Sequence, residues 1–333
     1  MFAELRQNAP VYRCPVPDEH GIYTYIVTGF PELVEVLTKQ TAFTNDLSPV
    51  LASHDINLFK APAPDVPTFY DDSHVFFSTG EDHKVKRSWA LKLSDRSRLP
   101  GYMKVFEAEV DALIDGFIDR GRCDFKADFS DAMPLSVVRM IMDLPPELDP
   151  MVKRLSAGIA ALENNPDPSP NDLDNFEDAV DELLGFNVEV LRERFQNPRE
   201  NDYISTVIRM QVDRDGSLDV NALSRHLAMT IFGADHAMGG HLADLAARLG
   251  QDLELQDRLR ADRSLIKGFH LETLRFITPV PWIYRNCVVD TEIGGETIKA
   301  GSLVLMAFVS GNYDPDEFPD PGLFNIDRPN LER

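Results

Sequence analysis

Residues 221–250 run for 30 positions without a proline, the longest helix candidate in the chain. Arg225, Asp235, Asp244 and Arg248 interrupt it, so it reads as a core helix of a folded protein and not as a membrane span. No other apolar run approaches the roughly 20 residues that a span requires. The N-terminus lacks the basic-then-apolar pattern of a signal peptide.

Apolar residues at spacings of three and four predict further helices over 81–93, 102–120, 131–143, 171–195 and 264–277. The β signals are fewer. The stretch 22–27 is β-branched and aromatic, Thr28-Gly29 marks a turn, and Pro31 opens a helix carrying Leu33, Val34, Val36 and Leu37. Gly294-Gly295 between two short extended runs predicts a hairpin. Residues 303–309 form a continuous apolar run, and 312–321 is rich in turn residues. Residues 44–78, with scattered prolines and aromatics, read as a long irregular segment, the kind that often covers a pocket. The expected fold is mainly α with a minor β portion, as one domain over 1–333.

Charge narrows the function classes. Against 33 Lys+Arg stand 55 Asp+Glu, a formal charge of −22, which argues against a nucleic-acid partner. A local cationic patch for one partner protein remains compatible. Cys14, Cys123 and Cys287 are far apart and odd in number, indicating neither a disulfide framework nor a zinc cluster. A cytoplasmic protein is expected.

Three constellations carry chemistry. In 264–277 the stripe Leu265, Phe269, position 272, Phe276 puts Glu272 on the inward face, where a lone carboxylate needs a partner. Arg275 is within reach three residues on, although pairs at this spacing are commonly surface ion pairs. His83 and Arg87, four apart, can present two donors to one anion. With Lys84 and Lys86 beside them they also fit a solvated basic face. In the long helix, Phe232-Gly233-Ala234-Asp235-His236 precedes Gly239-Gly240. These glycines predict a distortion or close packing. Asp235 and His236 can relay protons, or His236 can be a satisfied core residue. His226, His236 and His241 do not converge on one helix face, so no metal-ligand set is expected.

Together these pieces resemble the cytochrome P450 superfamily, the haem-thiolate monooxygenases, in its soluble bacterial form. Glu272-Thr273-Leu274-Arg275 matches the family's Glu-x-x-Arg. Pro279-Val280-Pro281, Tyr284-Arg285, Asp290, Glu292-Ile293-Gly294-Gly295, Ile298, Ala300-Gly301, Asn312, Asp314-Pro315 and Phe318-Pro319-Asp320-Pro321 follow at the family's positions. Upstream, His83-x-x-x-Arg87 and the 232–236 stretch match two further motifs.

The resemblance implies a haem b cofactor whose propionates are bound by His83, Arg87 and Arg285. Glu272 and Arg275 would be a buried structural pair, and Asp235 with His236 would occupy the proton relay to oxygen. Ala228, Phe232, Ala234, Val280 and Trp282 would line substrate space, with Phe69 and Tyr70 from the irregular segment. The implied reaction inserts one atom of O2 into a small or medium organic substrate, using electrons from a ferredoxin-type donor. Lys84, Lys86, Lys92, Arg96 and Arg98 near Arg87 would give that donor a basic patch.

Two departures stand out. Where the family carries an alcohol after the relay acid, this chain has His236. The family's axial cysteine lies in a loop expected beyond Arg333, and none of the three cysteines falls at its place. The chain is therefore read as a C-terminally truncated fragment lacking that loop and the last helix, clipped also at its start and inactive by itself. The alternative is a degenerate, non-catalytic haem- or ligand-binding protein on the same scaffold.

Overall fold

Short β-branched and aromatic runs become the strands of one compact unit, Met1–Asp55 with Gly240–Arg333; a second unit is Ile56–Gly239. The computed structural model describes residues 1–17, 21–47, 75–76, 78–95, 97–163 and 169–332, apart from the side chains of residues 160–163, 173, 234 and 236. Phe69 and Tyr70 lie outside the described residues.

The first unit holds a five-stranded sheet. Its strands are β1 (Val11–Arg13), β2 (Tyr25–Val27), β3 (Phe43–Thr44), β4 (Ile283–Cys287) and β7 (Leu303–Met306), in the order β1-β2-β7-β4-β3. β2 and β7 are parallel, with Tyr25 opposite Val304 and Val27 opposite Met306; the other neighbours are antiparallel. Thr44, expected in the irregular segment, instead ends β3, opposite Asn286. The expected hairpin is β5 (Thr291–Ile293) and β6 (Glu296–Ile298). Gly294 and Gly295 turn it at φ +55° and +81°, a left-handed pair that side chains resist. The apolar run that began at Leu303 splits into β7 and the short helix α12 (Phe308–Gly311).

Helices α1 (Phe2–Asn8), α2 (Phe30–Thr38), α10 (Leu253–Ala261) and α11 (Ile266–Phe276) complete this unit, with the C-terminal turns of α9 (Val220–Gln251). Val11, Tyr25, Val27, Leu33, Val36, Phe43, Val304 and Met306 form its main core. A smaller cluster of Leu255, Leu259, Phe269 and Ile326 packs α10 and α11 against the turn-rich segment. α11 starts later than the apolar spacing suggests, because Arg263–Leu265 is a 3₁₀ turn begun by the Asp262 carboxylate accepting from the Ser264 N–H.

The second unit is helical: α3 (Gly80–Ala90), α4 (Leu99–Ile118), α5 (Met133–Met142), α6 (Leu148–Glu163), α7 (Pro170–Gln196), α8 (Tyr203–Asp215) and the first part of α9. Local chemistry sets the ends. Ser169 and Asp172 form a reciprocal capping box at α7. The Asp202 carboxylate accepts from the Ser205 N–H at 2.7 Å to start α8, and Gly216 at φ +77° ends it. α5 begins at Met133, after Asp131, because Lys126–Ser130 takes a π-helical turn. That turn presses on α9: a Cβ built at Gly239 would stand 3.0 Å from the Ser130 carbonyl oxygen. α9 runs unbroken through its glycines, so close packing explains Gly239 and the expected distortion is not needed. Leu135, Leu155, Leu183, Leu191, Ile204, Leu223, Leu227 and Ile231 are the heart of this core.

Candidate active site

Glu272 is fully buried on α11, as its place on the apolar stripe requires. Arg275 meets it with a two-pronged ion pair: Nε donates to Oε2 and Nη2 to Oε1, each at 2.7 Å. The surface-pair reading of this spacing is thereby excluded. Oε1 also accepts from the Asn325 N–H at 2.8 Å and from Arg328 Nε at 3.1 Å. Arg275 Nη1 reaches on to the carbonyls of Asn312 and Pro321 at 2.8 and 3.0 Å. One carboxylate and two guanidiniums thus tie α11 to the turn-rich segment. Burial pushes the Glu272 carboxyl up, but donation from Arg275, Asn325 and Arg328 outweighs it and holds the group below its ordinary value. Arg328 and Asn325 were not foreseen. Their signal was stoichiometric: a buried carboxylate accepts about four hydrogen bonds, and one guanidinium fills only part of them.

His83 and Arg87 sit one turn apart on α3, His83 half-buried and Arg87 exposed. Arg87 has no ion-pair partner among the described residues. The basic face expected around them is smaller than the sequence suggests. Lys86 is buried and paired with Asp82 at 2.5 Å, Lys84 is paired with Glu81, and Arg98 donates to Thr206. An acid four or three residues upstream on the same helix neutralises each lysine. Arg96 lies outside the described residues.

Arg285 sits on β4 in the other unit. Its Nη1 donates to the Tyr284 carbonyl at 2.8 Å, and no carboxylate pairs with it among the described residues. Burial pulls its guanidinium below its ordinary value. A desolvated cation with only a main-chain acceptor is the arrangement an anionic ligand would complete. The thiols fit a different role: burial pushes Cys14 and Cys287 up, away from the thiolate that ligates iron, and Cys287 Sγ is turned to the Val289 carbonyl at 3.2 Å.

On α9, Ala228 and Ile231 are fully buried, Phe232 and Asp235 are half-buried, and Gly239 is buried, all on one stripe. The Asp235 Oδ2 accepts from Ser156 Oγ of α6 at 3.3 Å, a contact that no sequence spacing indicates. The side chains of Ala234 and His236 lie outside those described. Val280 and Trp282, between α11 and β4, are each nearly half exposed. His226, His241 and His270 have separate roles. His226 Nε2 shares a 2.9 Å hydrogen bond with the buried Tyr203 hydroxyl, and its ring meets Trp89 edge-on. His241 Nε2 shares one of 2.8 Å with His270 Nδ1.

Residues 243–333 match the family model described as Cytochrome P450. Almost the whole chain, 97%, aligns at 26% identity with the steroid C26-monooxygenase of Mycolicibacterium smegmatis, covering 75% of that protein. The chain is thus similar along almost its whole length to members of the cytochrome P450 superfamily. It is also 25% identical to the linalool 8-monooxygenase of Pseudomonas putida, over all of this chain and 80% of that protein. Among solved structures, the cytochrome P450 fold recurs in P450BioI in complex with an acyl carrier protein ligated to hexadec-9Z-enoic acid. That structure has a TM-score of 0.82, with 20% identity over 99% of this chain and 81% of that one. That similarity places the protein in the haem monooxygenase class, with haem b as its cofactor.

Proposed function

We propose that the protein to which these residues belong inserts one oxygen atom of O2 into a small or medium organic substrate in the cytoplasm, drawing electrons from a ferredoxin-type donor. The observation that carries the cofactor side is Arg285, a desolvated guanidinium whose described partner is one carbonyl and which a haem propionate would satisfy. His83 and Arg87 are the other propionate donors in this reading. Haem, when bound, supplies the iron chemistry that activates oxygen. The chain's own residues bind, orient and protonate. Glu272, Arg275 and Arg328 hold α11 and the turn-rich segment as one rigid wall. Asp235 holds a proton at its carboxyl for delivery, with His236 next to it in sequence. Ala228, Phe232, Ala234, Val280 and Trp282 are the substrate-contacting residues in this reading. Relatives named for a steroid and for linalool support an organic substrate of this size. The ferredoxin-type donor rests on the family resemblance, and the burial of Lys86 leaves α3 a smaller cationic surface to receive it.

Two measurements test this. Haem titration of the purified protein should show Arg285→Leu binding about tenfold to a hundredfold more weakly than wild type, with Arg285→Lys between them. Equal affinities would remove Arg285 from the haem site. With substrate candidates, a ferredoxin and ¹⁸O2, the product should carry a single labelled oxygen; a haem-loaded protein whose products stay unlabelled would refute the oxygen-insertion reading.

A further inference from the structure

We propose that Ser156 positions the Asp235 carboxylate and sets its proton affinity, supplying from α6 the alcohol that the residue after Asp235 does not. This rests on the reading of Asp235 as the proton-delivering acid.

The buried face of α6 is Val152, Leu155 and Ile159, and Ser156 is the polar residue at its edge. The facing stripe of α9 is equally apolar around Asp235, with Ala228, Ile231, Phe232 and Gly239 on the same side. Polar groups in such a crossing are costly unless they meet each other. Here they do, with the Ser156 hydroxyl donating to Oδ2 at 3.3 Å. The next position along α9 holds His236, an imidazole where an alcohol was expected. The hydroxyl therefore arrives from a second helix instead of from the neighbouring residue.

The donor is well held. α6 packs on α7 through Gly158, where a Cβ would stand 3.2 Å from Phe176 Cα, and Arg154 is ion-paired with Glu182 of α7. Asp131, which meets α9 at Gly239, is paired with Lys126, and Lys153 of α6 is exposed. Ser156 is a neutral donor that favours the ionised carboxyl and restrains one of its oxygens.

Carbon-13 NMR of aspartate-labelled protein, with and without haem, reads the Asp235 carboxyl directly, its resonance assigned by loss in Asp235→Asn. Ser156→Ala should raise its titration midpoint by about half a unit to one unit, and Ser156→Thr should restore most of the difference. Ser156→Cys, a weaker donor of similar size, should fall between and serves if the alanine variant loses helical circular dichroism. In the haem-loaded protein, the pH profile of product formed per electron consumed should move upward with the midpoint. A midpoint unchanged in Ser156→Ala overturns the proposal. Asp235→Asn separates the two layers. If it leaves coupling and pH profile unchanged, the acid reading fails and the role of Ser156 with it. If it lowers coupling while Ser156→Ala leaves the midpoint in place, Ser156 alone is overturned.

Discussion

The Ile326 carbonyl oxygen lies so close to Gly268 that a Cβ built there would stand 2.3 Å from it. α11 and the chain just after the turn-rich segment touch backbone to backbone at this point, and a main-chain atom cannot swing aside as a flexible side chain can. Gly268→Ala should cost about 1–3 kcal/mol through forced displacement, read as a lower urea midpoint. Gly116→Ala is the control. Nothing lies within 4 Å of that glycine in α4, and helix propensity predicts a gain of about 0.5–1 kcal/mol.

Glu272→Gln should destabilise the fold by about 3–5 kcal/mol, because two guanidiniums then lose the charge they were desolvated to meet. The sign of the pH dependence follows from the depressed carboxyl. Its stabilisation is present above the ordinary value of 4.5 and is lost as pH falls through the lower folded value. Acid titration of stability should therefore be flatter below pH 4.5 in the glutamine variant than in wild type.

His241 works in the opposite setting. Burial and the neighbouring His270 lower it from 6.5 to about 4. Between those values the unfolded chain takes up a proton that the folded chain refuses, so stability declines as pH falls through that window. In His241→Leu the urea midpoint should vary less between pH 6.5 and 4. An identical slope would show that the imidazole titrates normally.

Tyr203→Phe removes the hydroxyl partner of His226 Nε2 in a fully buried place. The expected cost is about 1–3 kcal/mol, from the loss of a buried hydrogen bond. Tyr203→Phe combined with His226→Leu should cost less than the sum of the two single changes, which a double-mutant cycle by thermal denaturation measures.

Periodicity made the helices legible because their apolar stripes recur locally. It also placed Glu272 inward with Arg275 beside it. Gly294-Gly295 announced the hairpin through a backbone requirement that few residues meet. What escaped was set by distant segments. Arg328 lies 56 residues from the carboxylate it helps to neutralise. Ser156 lies 79 residues from Asp235, and nothing in either helix names the other. Lys86 reads as a surface cation until tertiary packing buries it, its ammonium held by the exposed Asp82. The parallel pairing of β2 with β7 was equally hidden, since each strand alone is only a short apolar run.

That pairing has a consequence for biosynthesis. β7 lies between β2 and β4, so a ribosome that has released Tyr25 must still add Val304 before the sheet gains its middle strand. Until then the N-terminal strands present open edges. Such distant closure slows folding and favours aggregation of the nascent chain, so recovery of soluble protein should improve at reduced translation rates or with added chaperones.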